Sequence, residues 1–202
     1  MLNVDRLREE LVKITLNPER WNQGDWIQGV KGPADSPPEP CGTFGCLAGN
    51  TVLAENVPLQ WEFNELGLDV NGKPHGYWYV ERTESGDSIR NTAQSILGLT
   101  HWQASELFAG SNGLDDLWRV ASKISAGEIS DRDYRTAMRK AAEKRFEQAQ
   151  QKLKEFDNTH PTLRAIIHGD EAREAERLEQ DLEKAALELT KVPSEIPTSS
   201  VW

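Results

Sequence analysis

The residues best suited to chemistry lie in segment 41–49, which reads CGTFGCLAG and holds both cysteines of the chain. We predict that a helix begins at Gly42 or Thr43 and runs to about Glu55. Backbone N–H groups at a helix start favour negative charge, so a thiol there can have a lowered pKa and act as a nucleophile. One interpretation is therefore a cysteine-dependent hydrolase or transferase that uses Cys46.

This interpretation also needs a base and an oxyanion donor. His75 or His101 would be the base for Cys46, and the amide of Gln23 would donate to the oxyanion. No motif surrounds either histidine, and His75 falls in a predicted hairpin turn. The catalytic set is thus an alternative and not the leading hypothesis.

We favour a structural role for the same segment. In a helix, Cys46, Gly49 and Leu53 share one face, and Gly49 lets a tryptophan approach closely. Buried cysteine commonly packs as a small hydrophobic residue. We therefore assign no catalytic residue and expect a protein that is not an enzyme.

The sequence does not indicate metal binding. Structural zinc sites usually combine two ligands at short spacing with a second such pair elsewhere in the chain. Here the cysteines have C-x₄-C spacing, and no histidine pair accompanies them. The histidines are scattered singly, at His75, His101, His160 and His168. We expect neither a metal nor another cofactor.

A binding role draws on the aromatic segment 21–26, WNQGDW, and on segment 41–50. The two tryptophans could stack on a planar ring, and the helix start could hold a small anion. The predicted binding residues are Trp21, Gln23, Trp26, Cys41, Gly42, Thr43, Cys46, Gly49 and Asn50. However, segment 41–50 has no Lys or Arg and no phosphate-loop signature. A protein that sequesters a small anionic nucleotide is thus a further alternative and not the leading hypothesis.

The elements that must position these residues are predominantly helical. Six of the seven tryptophans lie at or before Trp118, whereas the chain after residue 130 is rich in strong helix formers. We predict a mainly α fold, with a Trp-rich globular domain at 1–129 that contains one small β-hairpin near 66–82. We expect the tryptophans to form its core, and residues 29–40 to form a Pro-rich surface loop.

Residues 130–191 are predicted to form a long antiparallel helical hairpin, broken at 157–161 (DNTHP), with a flexible tail at 192–202. Apolar residues recur on one stripe of each arm. Residues 131–156 hold eight Lys/Arg and five Asp/Glu, whereas residues 157–202 hold five and ten. The arms thus differ in charge, and the hairpin is a candidate for binding a protein partner or a second copy.

The overall composition excludes some classes of function. The formal net charge of −10 opposes direct binding to nucleic-acid backbones, which depends on Lys and Arg. No run of about 18 apolar residues is present, so we expect no membrane span. The first residues lack a basic stretch followed by an apolar one. We expect a cytoplasmic protein.

The W-x-Q-x-x-W motif of segment 21–26 and the C-G-T-x-x-C-x-A-G motif of segment 41–49 resemble a group of small, uncharacterised proteins of actinobacteria and their tailed phages. The resemblance spans about residues 15–125, and many members carry an aromatic residue or His where this chain has Asn50. The resemblance implies the origin of the protein more than its activity. The leading hypothesis is a non-enzymatic phage or bacterial accessory protein that acts by protein–protein interaction, in host modulation or assembly.

Overall fold

The computed structural model describes residues 1–33, 43–68, 71–159 and 170–192. These residues form seven α-helices and a four-stranded antiparallel sheet, which confirms a mainly helical fold. The chain divides into two compact units, residues 1–130 and a second unit that begins at Asp131. None of the described helices is both long and apolar enough to span a membrane.

The elements fall in this order within the two units. The helices of the first unit are α1 (Val4–Leu16), α2 (Leu47–Ala54), α3 (Ile89–Leu97), α4 (His101–Leu107) and α5 (Leu114–Ile124), with a 3₁₀ turn at Pro18–Arg20. Its strands are β1 (Ile27–Pro33), β2 (Thr43–Gly45), β3 (Leu59–Leu68) and β4 (Pro74–Thr83). The second unit contains α6 (Asp131–Thr159) and α7 (Asp170–Thr190).

Helix α1 has apolar residues spaced three and four apart along one face. The Asn3 side chain accepts a hydrogen bond from the Arg6 backbone N–H at 3.1 Å, which satisfies one of the free donors of the first turn. Leu7, Leu11 and Ile14 lie on the face that packs into the core and are fully or almost fully buried.

The sheet is larger than predicted. Its strand order is β2-β1-β4-β3, with every neighbouring pair antiparallel. The hairpin predicted near 66–82 corresponds to β3 and β4, which are two of the four strands of the sheet. These strands extend back to Leu59 and forward to Thr83. Residues 29–33, predicted as loop, belong to β1; residues 34–40 lie outside the described residues. Pairing with β2 on one side and β4 on the other outweighs the weak strand propensity of Gly and Pro.

The start of α2 also differs from the prediction. The helix begins at Leu47, not at Gly42 or Thr43, because residues 43–45 pair with β1 as strand β2. Cys46 therefore occupies the N-cap position, one residue before the helix. It does not share a helical face with Gly49 and Leu53.

The short helices α3 to α5 are delimited by local sequence signals. Gly98 ends α3 with φ 64°, a left-handed conformation that glycine adopts without strain. Thr100 and Gln103 form a reciprocal capping box at the start of α4. Gly127, with φ 86°, follows the end of α5.

The prediction of a core built from tryptophans is wrong. Among the six tryptophans of the first unit only Trp118 is fully buried, and Trp102 is 54% exposed. The others are half-buried. Most of the core is aliphatic, contributed by α1, α2, α3 and α5. The indoles lie mainly at the margins of the packing, where an amphipathic ring can keep one edge in water.

In the second unit, α6 and α7 pack against each other as an antiparallel pair. Four residues of the predicted stripes are buried, Ala142 and Ala149 on α6 and Leu178 and Ala185 on α7. The least exposed residues of α6, Tyr134, Ala137 and Ala141, lie outside its predicted stripe. An ion pair between Arg145 Nη1 and Glu188 Oε2, 2.6 Å apart, links the arms. The helix break is predicted to begin at residue 157, but α6 continues to Thr159. Residues 160–169 and 193–202, the latter most of the predicted tail, are outside the described residues.

One buried hydrogen bond in the first unit joins α1 to α5 and can be tested by substitution. Trp118 Nε1 donates to Thr15 Oγ1 at 3.0 Å, and both residues are 0% exposed. Thr15→Val would remove this acceptor from the buried indole N–H, so we expect a loss of about 1–3 kcal/mol in the free energy of unfolding, measured by urea denaturation.

Thr51→Val is the matched control. Thr51 is equally buried, but its hydroxyl only donates to the Leu47 carbonyl within the same helix. We expect it to cost clearly less than Thr15→Val. Equal losses in the two variants would contradict a specific contribution from the Trp118 hydrogen bond.

Candidate functional site

The buried side chain of Gln23 joins three segments of the first unit. Its Oε1 accepts from Trp21 Nε1 at 3.0 Å and from the Leu47 backbone N–H at 3.1 Å. Its Nε2 donates to the Leu107 carbonyl at 3.2 Å. These bonds link the aromatic segment to the start of α2 and the end of α4. Gln23 is thus a structural junction, and one of its two amide N–H groups is already engaged by the Leu107 carbonyl.

Close backbone packing brings segment 21–26 against segment 43–50. A Cβ added at Gly49 would lie 1.7 Å from the Trp26 carbonyl oxygen, and one added at Gly45 would lie 2.4 Å from it. The Cys46 backbone N–H donates to the Asp25 carbonyl at 2.7 Å. Gly49 therefore permits a close approach, as predicted, but the group that approaches is the Trp26 main chain and not its indole.

Cys46 is a capping residue in this packing. Its Sγ accepts from the Gly49 backbone N–H at 3.5 Å, and the thiol donates to the Trp26 carbonyl at 3.8 Å. The residue is 1% exposed. Burial raises the pKa of the thiol to about 11, although backbone N–H groups at the helix start act in the opposite direction. Desolvation outweighs the helix start, so the sulfur is neutral at physiological pH.

The residues of the catalytic alternative are placed separately. His75 lies in β4 rather than in a turn, where it pairs with Pro33 and Gly67, and His101 is the exposed first residue of α4. The partners described for Cys46 Sγ are backbone groups, not imidazoles. Within the described ranges, no three His, Cys, Asp or Glu side chains are grouped closely enough to hold a metal ion.

The remaining predicted binding residues vary in position. Asn50 Nδ2 donates to the Gly45 and Cys46 carbonyls, at 2.7 and 3.1 Å, so its amide supports the turn into α2. Thr43 is buried in β2, and its carbonyl accepts from the Arg20 guanidinium at 3.5 Å. Cys41 and Gly42 lie outside the described residues.

Beside this junction is a cleft of about 360 Å³ between α1, the 3₁₀ turn and α2. Its lining residues are Glu10, Lys13, Ile14, Asn17, Arg20, Trp21, Asn50, Leu53 and Ala54. Two of them, Trp21 and Asn50, are predicted binding residues. The cleft thus combines an aromatic residue, an amide and ionised side chains in a space of the size that small-molecule sites occupy.

Glu10 is the most unusual residue of the cleft, because its carboxylate is 1% exposed. It pairs with Lys13 Nζ at 3.1 Å and with Arg6 Nε at 3.3 Å. Burial raises its pKa, and the two cations oppose that shift. The sequence analysis missed Glu10, Lys13 and Arg20. The available signal was a carboxylate at position 10 within the apolar spacing of residues 7, 11 and 14.

Comparisons with protein-family models, with curated proteins and with solved structures found no match. Function must therefore be inferred from the arrangement of the residues themselves. That arrangement assigns Gln23, Gly45, Cys46 and Gly49 to packing, and leaves the cleft and the hairpin surface as candidates for binding.

The capping role of Cys46 predicts an unreactive thiol. In a Cys41→Ser background, a thiol reagent at pH 8 should label the native protein far more slowly than the denatured protein. Because the folded-state pKa is raised from 9.0 to about 11, stability should be constant below about pH 9 and fall as pH rises toward 11. The loss should reach about 3 kcal/mol in urea titrations and disappear when Cys46→Ala is added. Fast labelling of the native state would contradict the capping role.

The approach of Trp26 to α2 predicts a strong effect of Gly49→Ala. Alanine normally favours a helix interior over glycine by about 0.5–1 kcal/mol, but here its Cβ would collide with backbone atoms that cannot move independently. We expect a loss of about 3 kcal/mol or more in the free energy of unfolding, or failure to fold. Gly110→Ala, where the nearest atom is 3.6 Å away, is the matched control and should change stability by less than about 1 kcal/mol.

Proposed function

We propose that this chain is a non-enzymatic accessory protein that acts by protein–protein contact, and that its helical hairpin is a self-association arm. The observation that carries the proposal is a pair of stripes of opposite charge on one side of the hairpin. A basic stripe on α6 and an acidic stripe on α7 have the same residue spacing. An arrangement of this kind is self-complementary, as a two-fold symmetric interface requires.

The basic stripe consists of Arg132, Arg135 and Arg139, spaced three and four residues apart on α6. All three are exposed, and together with Lys140 they line a surface depression of about 560 Å³. Residues at this spacing lie on one face of a helix. The stripe is a local positive region in a chain whose net charge is −10.

The acidic stripe consists of Glu176, Glu179 and Glu183, with the same three-then-four spacing on α7. These side chains are exposed as well. Leu187, one turn further along α7 and 51% exposed, does not extend this stripe, because it lines a depression with Arg145, Lys184 and Glu188.

The two stripes face the same side of the hairpin. At 100° per residue, Arg139 and Arg145 lie on opposite sides of the buried Ala142. On α7, Glu183 and Glu188 likewise lie on opposite sides of Leu182. Because Arg145 pairs with Glu188 on one side, the basic and acidic stripes share the other.

The stripes are also placed symmetrically along the hairpin. The basic stripe precedes Arg145 on α6 by roughly ten residues, and the acidic stripe precedes Glu188 on α7 by roughly nine. Since the helices are antiparallel, these segments lie on either side of the Arg145–Glu188 level, each about 14 Å from it at 1.5 Å per residue. A two-fold axis at this level brings the basic end of each hairpin to the acidic end of the other.

Charge reversal tests this arrangement on the full chain. We expect the wild type to sediment as a dimer at low salt, and to dissociate progressively between about 0.05 and 0.5 M salt as the exposed charges are screened. Reversal of the basic stripe (R132E/R135E/R139E) or of the acidic stripe (E176K/E179K/E183K) should give monomers. An equimolar mixture of the two variants should form a heterodimer, because each then carries two stripes of one sign.

K152E/K184E is the control, since both lysines are exposed on the side that carries Arg145 and Glu188. It should remain dimeric, and circular dichroism should show unchanged helix content in all variants. A wild type that is monomeric at low salt, or reversed variants that stay monomeric when mixed, would refute self-association through the stripes.

The cellular setting is part of the same proposal. The motifs of segments 21–26 and 41–49 resemble those of actinobacterial and phage proteins, which supports a role in host modulation or assembly in the bacterial cytoplasm. A symmetric dimer would present two copies of the first unit, and two copies bind a repeated target more tightly than one.

A further inference from the structure

The cleft between α1 and α2 indicates a function separate from self-association. It lies entirely within the first unit, and its lining differs between the inside and the rim. The carboxylate of Glu10 is buried at 1% exposure, and Asn50 is half-buried. Arg20 is exposed at its margin, whereas Lys13 Nζ is held between the carboxylates of Glu9 and Glu10, at 3.0 and 3.1 Å. Hydrogen-bond acceptors therefore lie inside the cleft, and the Arg20 guanidinium lies at its rim.

The side chains inside the cleft retain capacity to accept hydrogen bonds. Among the described residues, Asn50 uses its two N–H donors on backbone carbonyls, and no donor reaches its Oδ1. The ion pairs of Glu10 with Lys13 and Arg6 both involve Oε1, so Oε2 remains as an acceptor. Since neither Oδ1 nor Oε2 can donate, a ligand must supply the N–H groups.

Trp21 contributes an apolar ring surface. Its Nε1 is already bonded to Gln23 Oε1 at 3.0 Å, so the indole offers the cleft its ring and not its N–H. The half-buried Trp21 faces a space that Leu53 and Ile14 also line. A flat ring in this position gains stacking area and displaces water from apolar groups.

We propose that this cleft binds a nucleoside monophosphate whose base carries an exocyclic amino group. The base stacks on Trp21 and donates N–H groups to Glu10 and Asn50. The phosphate lies at the rim near Arg20, where charge-assisted hydrogen bonds to the guanidinium hold it. A ligand of this class has a donor edge, a planar body and an anionic end in the same order as the cleft has acceptors, an aromatic ring and a cation.

The cleft volume of about 360 Å³ limits the ligand to a small molecule. It falls near the lower end of the roughly 300–1,000 Å³ range of small-molecule sites. UMP has no exocyclic amino group, and its single ring N–H is flanked by two carbonyl oxygens that would face Glu10 and Asn50 unfavourably. We therefore expect AMP, GMP and CMP to bind and UMP to bind at least about tenfold more weakly.

The experiment is calorimetric titration of the full-length protein with AMP, GMP, CMP, UMP, adenosine and inorganic phosphate, with tryptophan fluorescence as a second readout. We expect quenching by the nucleotides that bind. Arg20→Gln should weaken the binding of AMP by about tenfold, the scale of one charge-assisted hydrogen bond, and leave adenosine unchanged. This split between AMP and adenosine separates loss of a phosphate contact from general damage to the fold.

Ala54→Phe tests the location. Ala54 is exposed at the end of α2 and lines the cleft, so a larger side chain can obstruct it without entering the core. It should abolish nucleotide binding, whereas Ser95→Phe, on an exposed position of α3, should not. Absence of heat and quenching with every nucleotide at millimolar concentration would overturn the proposal. So would binding unaffected by Ala54→Phe, or inorganic phosphate or UMP binding as tightly as AMP.

Discussion

The first unit depends on one close approach, in which the Trp26–Ile27 backbone lies against the start of α2. Only glycine at positions 45 and 49 permits it, since a Cβ at either would overlap the Trp26 carbonyl. This contact places the sheet directly on the helical layer, because Ile27 begins β1 and pairs with both β2 and β4. Gln23 then fixes the same region to α4 through Leu107. The chemistry of the nearby residues follows from this packing.

Cys46 shows how packing decides chemistry. A thiol at a helix start is a common way to stabilise a thiolate, but that effect requires a sulfur that water or a cation can reach. Here the Trp26 backbone covers the sulfur, and desolvation raises its pKa to about 11. The turn that buries Cys46 also orients Trp21 and Asn50 toward the cleft. The motif is thus better understood as a support for the wall of the neighbouring cleft than as a reactive centre.

The parts of the fold that the sequence predicts well are those set by neighbours along the chain. The capping box at Thr100, the glycine end of α3 and the apolar stripes of the hairpin are local features, and the structure contains them. Strand β1 escaped prediction because its stability comes from pairing partners at 43–45 and 75–80, distant in sequence. The cleft was missed for the same reason. Glu10 and Asn50 are forty residues apart, and only the packing of α1 beside α2 brings them together.

The hairpin raises a different physical question, which is why a chain of net charge −10 keeps three arginines on one exposed face. Pairing within the hairpin would neutralise them most simply, as Arg145 and Glu188 do at 2.6 Å. The two stripes instead lie on opposite sides of that level, too far apart to pair within one copy. Exposed ion pairs each contribute little, so six of them gain importance chiefly when they select one orientation over another. Their separation is the physical reason for the proposed contact between copies, in which charge would set the register.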